Sequence, residues 1–297
     1  MGSTTTLQHI CVLAGLHLVS NDSLCVHENR ADIFIGAYYP FMRNHAEYHT
    51  ISQEFYRWPL VADAARNALD TRYRLLDYLY TAMYRQNQTG TPTISPLFFM
   101  YPEDTNTFDI QQQFFFGDSI LVSPVLEPNQ TSVTAYMPND LFYDFNTHQA
   151  VQGQEAMMTF TNVAYTEITT HIRGGSIIPM RVRSANTTTE VRKQNFVVIV
   201  APGLNGTAAG SLYLDDGESL VQNAISDIQF TYSASGVFSM GGSFAYDSGV
   251  VIEAVTVLGV DADRRRSESS AVYDSTAKSL TQQVNMPLTE AAKLSLL

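Results

Sequence analysis

Residues 35–58 read IGAYYPFMRNHAEYHTISQEFYRW, and how this run is interpreted decides the fold. It starts as a short apolar and aromatic segment, breaks at Pro40, and turns abruptly polar at Arg43-Asn44-His45. A buried strand that hands polar groups to a loop has this pattern. Any chemistry in the stretch falls on His45. By residue type alone, a single histidine after an aromatic strand is more often a structural hydrogen-bonding group than a ligand-binding one.

Downstream, Val61, Ala65, Leu69, Tyr73, Leu76, Tyr80 and Met83 recur at steps of four and three, the spacing of one apolar helix face, and Gly90 with Pro92 ends the pattern. One long helix is expected. Residues 94–100, ISPLFFM, form an unbroken apolar run, as a buried strand does, and Pro102-Glu103-Asp104 turns the chain out of it. A short helix is expected over 111–116. Strand, loop, helix and strand in succession are the grammar of a β/α unit. After Asp118 the period changes. ILVSPVL, SVTAYMP, LFYDF, EITTHI, SIIPM, NFVVIVAP, SLYLDD, DIQFTYS, GSFAYD and VVIEAVTVLGV are short, rich in β-branched and aromatic residues, and separated by Gly, Asn, Asp or Pro. They read as strands of sandwich domains.

Several of these segments carry a family likeness. AYYPFMRNH (37–45), QEFYRWP (53–59), MYPED (100–104), QFFFGDSILVSPVL (113–126), HIRGGSIIPM (171–180) and YLDDGES (213–219) stand in one order. Together they resemble the C-terminal part of a glycoside hydrolase family 31 α-glucosidase. The resemblance implies an α/β plus all-β chain: a C-terminal remnant of a (β/α)8 barrel, followed by two antiparallel β-sandwich domains. It implies barrel over 34–117, a proximal β-domain over 118–195 and a distal one over 196–297. Residues 1–33 do not match, and the likeness resumes only at Gly36. The N-terminal segment is expected to reflect a truncated gene or a mispredicted exon.

The chemistry follows from the same likeness. Retaining glycosidases flank the scissile bond with two carboxyl groups, one nucleophile and one acid/base, about 5 Å apart. In family 31 both are aspartates on barrel strands. Neither of their segments is present, so both are expected upstream of residue 1, and the chain alone is expected to be inactive. By resemblance His45 contacts a hydroxyl of the glucosyl unit. Arg43 is a second substrate-binding candidate, and Arg43 and Asn44 equally suit a role in holding the loop. The adjacent pairs Glu103-Asp104 and Asp215-Asp216 read as turn residues, Gly217 supplying a positive φ. Trp58 reads as a packing anchor and Tyr73, Tyr80 and Tyr84 as helix core or rim. His49 and His171 have no partners at metal-ligand spacing, so no metal is expected. No cofactor is implied, because the carboxylates and positioned hydrogen bonds suffice. The alternative from another class is a non-catalytic carbohydrate-binding or interaction module made of the β-sandwiches.

Composition sets the remaining bounds. The 297 residues are 45% hydrophobic and 15% charged, enough for a sizeable core and two or three domains. A net charge of −12, from 17 Lys and Arg against 29 Asp and Glu, provides no basic stripe for a phosphate backbone, so no nucleic-acid partner is expected. The apolar run 10–19 is too short to span a membrane. It has the length of a signal-peptide core, without a basic flank before it or a clear cleavage site after it. Cys11 and Cys25 leave one bridge or two free thiols open. Sequons at Asn21, Asn87, Asn129, Asn186 and Asn205 are glycosylation candidates if the chain is exported. The family resemblance implies the secretory pathway and an oligosaccharide or α-glucoside as substrate. It leaves linkage specificity and oligomeric state open.

Overall fold

A computed structural model describes residues 35–42, 54–126, 130–262 and 271–297. Numbered along the chain, its elements begin with helices α1 (Pro59–Arg74) and α2 (Leu76–Thr89), strand β1 (Ile94–Ser95), helix α3 (Leu97–Met100), and strands β2 (Phe114–Phe116) and β3 (Ile120–Ser123). Strands β4 (Ser132–Met137), β5 (Leu141–Asp144), β6 (Ala150–Gln152), β7 (Ala156–Thr161), β8 (Thr169–Arg173) and β9 (Ser176–Arg181) follow, then helix α4 (Thr188–Arg192). The chain ends in β10 (Phe196–Ala201), β11 (Ala208–Leu214), β12 (Ser226–Tyr232), β13 (Val237–Phe244), β14 (Val251–Val257), β15 (Ala271–Asp274), β16 (Ser279–Pro287) and β17 (Ala292–Ser295). Chain contacts divide it into two compact units, one formed by 1–72, 93–138 and 155–170, the other by 73–92, 139–154 and 171–297.

In the first unit, β1 and β2 pair antiparallel with Ile94 opposite Phe116, and β2 pairs with β3 with Phe115 opposite Leu121. The separate ribbon of β4 and β7 is also antiparallel, from Ser132 opposite Thr161 to Met137 opposite Ala156. Buried Gln113 stitches strand to ribbon. Its Nε2 donates to Ser123 Oγ at 2.9 Å and to Tyr136 O at 3.1 Å, and its Oε1 accepts Tyr136 N–H at 2.7 Å. A side-chain amide used this way satisfies groups that the sheet ladder leaves open.

Three local expectations are corrected here. Residues 36–38 form a buried 3-10 turn in place of a strand. Only Ile94–Ser95 of the run 94–100 is strand, because Pro96 cannot donate to a ladder, and residues 97–100 coil into α3, with Tyr101 N–H donating to Leu97 O at 3.0 Å. The expected helix over 111–116 is instead strand β2 at its end. An apolar run of this length cannot be assigned by periodicity alone.

The second unit is built on one sheet of nine strands, ordered β15-β16-β14-β10-β9-β11-β12-β13-β17. The sheet is mixed. Strand β10 runs parallel to β14, and β11 parallel to β9 at Ala209 opposite Ser176, while the other ladders are antiparallel. Alternation is clean in β12, where Ser226, Ile228, Phe230 and Tyr232 are buried, and lost in β10, FVVIVA, which is nearly all buried, as a central strand is. Phe196, Val198, Leu212, Phe230, Phe238, Ile252, Val255 and Leu280 belong to one contiguous core, so side chains from strands far apart in the ladder meet. Strand β5 pairs with β6 and, from Phe142 opposite Arg173 to Asp144 opposite His171, with the end of β8.

The single long helix expected over 61–83 is two helices, interrupted at Leu75 (φ −90°, ψ 9°). Gly90 does cap the second, in the left-handed region at φ 79°, its N–H donating to Gln86 O at 2.9 Å. The buried residues of α2 include Asp77, Tyr78, Leu79 and Thr81, whereas Tyr80 and Met83 are 36% and 45% exposed. Polar anchoring rotates the face. Asp77 receives Arg181 Nε and Nη2 at 2.7 Å each, and Thr81 Oγ1 accepts Tyr213 N–H at 2.9 Å. Tyr84 stacks on Tyr213 with centroids 3.7 Å apart, and Arg85 forms a bidentate pair with Asp227. Among the described residues, no helix is long and apolar enough to cross a membrane.

Candidate functional site

His45, Arg43 and Asn44 lie outside the described residues, as do His49, Cys11, Cys25, Asn21, Asn129 and the N-terminal segment 1–33. What the structure describes is the segment 35–42, which immediately precedes Arg43 in the chain. The 3-10 turn Gly36–Tyr38 exposes backbone carbonyls that have no ladder to join. The Arg72 guanidinium, from the end of α1, collects them. Its Nη1 donates to Ala37 O at 2.9 Å, Tyr39 O at 2.5 Å and, more distantly, Gly36 O at 3.4 Å, while Nη2 donates to Pro40 O at 3.0 Å. A planar fork with several donors suits this task, which a single ammonium could not perform.

Aromatic packing fixes the same turn from the side. Tyr38 meets Phe116 edge-on with centroids 5.7 Å apart, and Tyr39 stacks on Phe114 at 5.5 Å. Burial pushes the Tyr38 phenol up to about 12, so it stays neutral at physiological pH. The backbone is therefore held up to Pro40, three residues before Arg43. Beyond it, Phe41 is 56% exposed, and Tyr56 and Leu60 are 78% and 53% exposed. Trp58 is half-buried, with the Arg57 guanidinium 5.7 Å from its ring centroid.

Three of the four acids that stand in adjacent pairs, Asp104, Asp215 and Asp216, are committed to local structure. Asp104 accepts Tyr136 Oη at 2.6 Å and the Asn106 backbone and side-chain N–H at 3.1 Å each, while neighbouring Glu103 is exposed. Asp215, almost fully buried, accepts Tyr80 Oη at 2.8 Å and Gly217 N–H at 2.8 Å. Asp216 faces outward and accepts the backbone N–H groups of Glu218 and Ser219 at 2.9 Å each, and the Ser219 hydroxyl at 2.5 Å. Those bonds, that from the Ser219 hydroxyl foremost, hold its carboxyl well below the usual range. Gly217 adopts φ 73°, and a Cβ there would collide with the Arg192 guanidinium. The two neighbouring acids thus point into different surroundings and close a turn. Among the described residues, no group of three His, Cys, Asp or Glu side chains is arranged to hold a metal ion.

Arg72 is the structural anchor that sequence reasoning passed over. On α1 it reads as one more polar helix position, and nothing in its spacing announces that it caps carbonyls more than thirty residues earlier in the chain. Of the sequon asparagines that are described, Asn87, Asn186 and Asn205 are all exposed.

Comparison with known proteins bears on the same segments. The family described as Glycosyl hydrolases family 31 TIM-barrel domain matches residues 33–82, and that described as Glycosyl hydrolase family 31 C-terminal domain matches residues 90–178. A protein of Neosartorya fischeri named "Probable alpha/beta-glucosidase" is 51% identical over 277 residues, covering 93% of this chain and 31% of the relative. The "Alpha-glucosidase" of Schizosaccharomyces pombe is 41% identical over 229 residues, covering 76% of this chain and 23% of the relative. The chain thus spans about a third or less of the length of the curated relatives it matches. A glucosidase II alpha subunit structure superposes with a TM-score of 0.81 at 22% identity, covering 89% of this chain and 32% of that one.

Proposed function

We propose, from the premise that this chain belongs to glycoside hydrolase family 31 and holds the end of its barrel together with its C-terminal domains, that it is the C-terminal part of an α-glucosidase removing terminal α-linked glucose with retention. The observation that carries this reading is the 51% identity sustained over 277 residues with a relative named as an alpha/beta-glucosidase. In this reading 34–117 closes the barrel, and 118–195 and 196–297 are the proximal and distal β-domains, with β9 of the first lying in the sheet of the second. His45 binds a hydroxyl of the glucosyl unit, and Arg43 supports it. The Arg72 clamp holds residues 36–40, just before Arg43 in the chain.

Retention needs a nucleophilic carboxylate, which forms a glycosyl ester, and a second carboxyl, which protonates the leaving oxygen and then deprotonates the attacking water. Asp104, Asp215 and Asp216 are spent on hydrogen bonds of the fold. In this reading both catalytic aspartates come from a preceding part of the family's barrel, as the resemblance implies, since neither of the segments that carry them is present in the sequence. The substrate is an oligosaccharide or α-glucoside, no cofactor is required, and the protein follows the secretory pathway.

The test is hydrolysis of an aryl α-glucoside by residues 1–297 beside a polypeptide extended through the upstream coding region. Activity confined to the extended form, with KM raised by His45→Ala, is the expected result. Activity in the short form would overturn the placement of the carboxylates. A second reading, a non-catalytic carbohydrate-binding module, is favoured by one observation: the β-rich unit has a contiguous core of its own. Glucan binding by 1–297 without hydrolysis in either form would select it.

A further inference from the structure

We infer that Asn205, in the turn between β10 and β11, carries an N-linked glycan; the inference rests on the secretory reading above and deepens it by choosing among the sequons. The sequon Asn205-Gly206-Thr207 is folded into a closed local turn. Asn205 Oδ1 accepts the Thr207 backbone N–H at 3.0 Å and the Thr207 hydroxyl at 2.9 Å. Gly203 N–H donates to Thr207 O at 2.9 Å, and Gly206 N–H donates to Gly203 O at 2.8 Å. All of these bonds lie within five residues, so the turn needs nothing from the rest of the fold to form. Gly206, the variable residue of the sequon, supplies the left-handed φ of 73° that the turn requires.

Three features of this geometry suit the modification. Asn205 is exposed, and both of its side-chain hydrogen bonds use Oδ1, so Nδ2 is uncommitted. Transfer of an oligosaccharide from a lipid-linked diphosphate donor forms the Nδ2–C1 bond, breaks the C1–O bond to the diphosphate, and releases one Nδ2 proton to the transferase's base. The amide carbonyl survives this exchange, so both Thr207 hydrogen bonds remain after glycosylation. Leu204, next to the acceptor, is 67% exposed, and the first sugar would cover it.

The other described sequons differ. Asn87 lies in the last turns of α2, its Oδ1 accepting Gln88 Nε2 at 3.2 Å, and the hydroxyl of Thr89 is committed to Arg85 O at 2.9 Å. At Asn186 no hydrogen bond joins the amide to Thr188, which is the first residue of α4, and the Thr187 hydroxyl is taken up in capping that helix through Glu190 N–H at 3.3 Å. Of the three, only Asn205 has its own amide oxygen accepting the hydroxyl of its sequon while its amide nitrogen makes no hydrogen bond.

The experiment is site mapping by mass spectrometry. The protein is isolated both from its own cells and from a eukaryotic host that secretes residues 1–297 behind a cleavable leader, then treated with peptide-N-glycosidase in heavy-oxygen water to mark each formerly glycosylated Asn. The expected result is near-complete marking of Asn205, above that of Asn87, abolished by Thr207→Ala and retained in Thr207→Ser. An unmarked Asn205 beside a marked Asn87 or Asn186 overturns the inference while leaving the secretory reading intact. No marked sequon in protein from its own cells, with Asn205 marked in the leader-directed form, overturns the secretory reading and with it the glycan.

Discussion

Replacing Arg72 by Met removes the clamp on residues 36–40 while keeping a long side chain on α1. Three bonds of normal length are lost, to Ala37, Tyr39 and Pro40, with the fourth, to Gly36, at the margin. A hydrogen bond from a charged donor contributes about 1.5–3 kcal/mol, but Arg72 and residues 39–40 are half-buried, so water replaces part of it, and we take about 1 kcal/mol per bond, roughly 3 kcal/mol in all. Arg72→Lys restores a charge without the fork and should recover about half of that. Trp58 is the single tryptophan of the chain and lies in the same unit as the clamp, so its fluorescence in urea reads the relevant transition. A loss below about 0.5 kcal/mol for Arg72→Met, the range of an ordinary surface substitution, would refute the clamp.

Three further outcomes follow from the β-rich unit. Burial pushes His171 down to about 4, against a smaller opposing effect of Asp144, so the unfolded chain takes up a proton near 6.5 and the folded chain only near 4. Stability from this group is complete above about pH 6.5, falls by about 3 kcal/mol as pH drops towards 4, and changes no further below; urea titrations across that window should flatten in His171→Gln. Asp77→Ala strands the guanidinium of Arg181, a residue 1% exposed, and should cost about 3–5 kcal/mol in urea unfolding monitored by circular dichroism, more than the exposed Asp63→Ala. Gly210→Ala places a Cβ 2.1 Å from the Ile177 carbonyl oxygen, a backbone atom that cannot swing away, and should lower stability by about 1–3 kcal/mol in a thermal melt.

What the sequence made legible is what short-range physics determines. The strands of the β-rich part follow from β-branched runs between Gly, Asn and Asp, and Gly90 announced the end of α2 because few other residues accept its φ. Residues 97–100 and 114–116 were misread because both are all-apolar and too short to express a period. The turn at 36–38 was misread as strand because its carbonyls are satisfied by Arg72, a partner that no local pattern reveals. The candidate site at Arg43–His45 rests on family likeness alone, since residue type argues the other way and these positions lie outside the described residues.

Helix α2 shows why neither apolar periodicity nor a family boundary locates a folding unit by itself. The match to the family 31 barrel domain ends at residue 82, inside this helix. Yet the side chains that fix α2 reach β9, β11 and β12: Asp77 to Arg181, Thr81 and Tyr84 to Tyr213, and Arg85 to Asp227. An apolar stripe would have left the helix free to slide or rotate on a flat sheet, since hydrophobic contact is not directional. Bidentate pairs at both ends and a hydroxyl-to-backbone bond between them allow one rotation and one register. That specificity demands the buried charge of Asp77, and a sequence pattern scored for apolar faces counts such a residue against burial. The polar positions the periodicity set aside are the ones that decide to which unit the helix belongs.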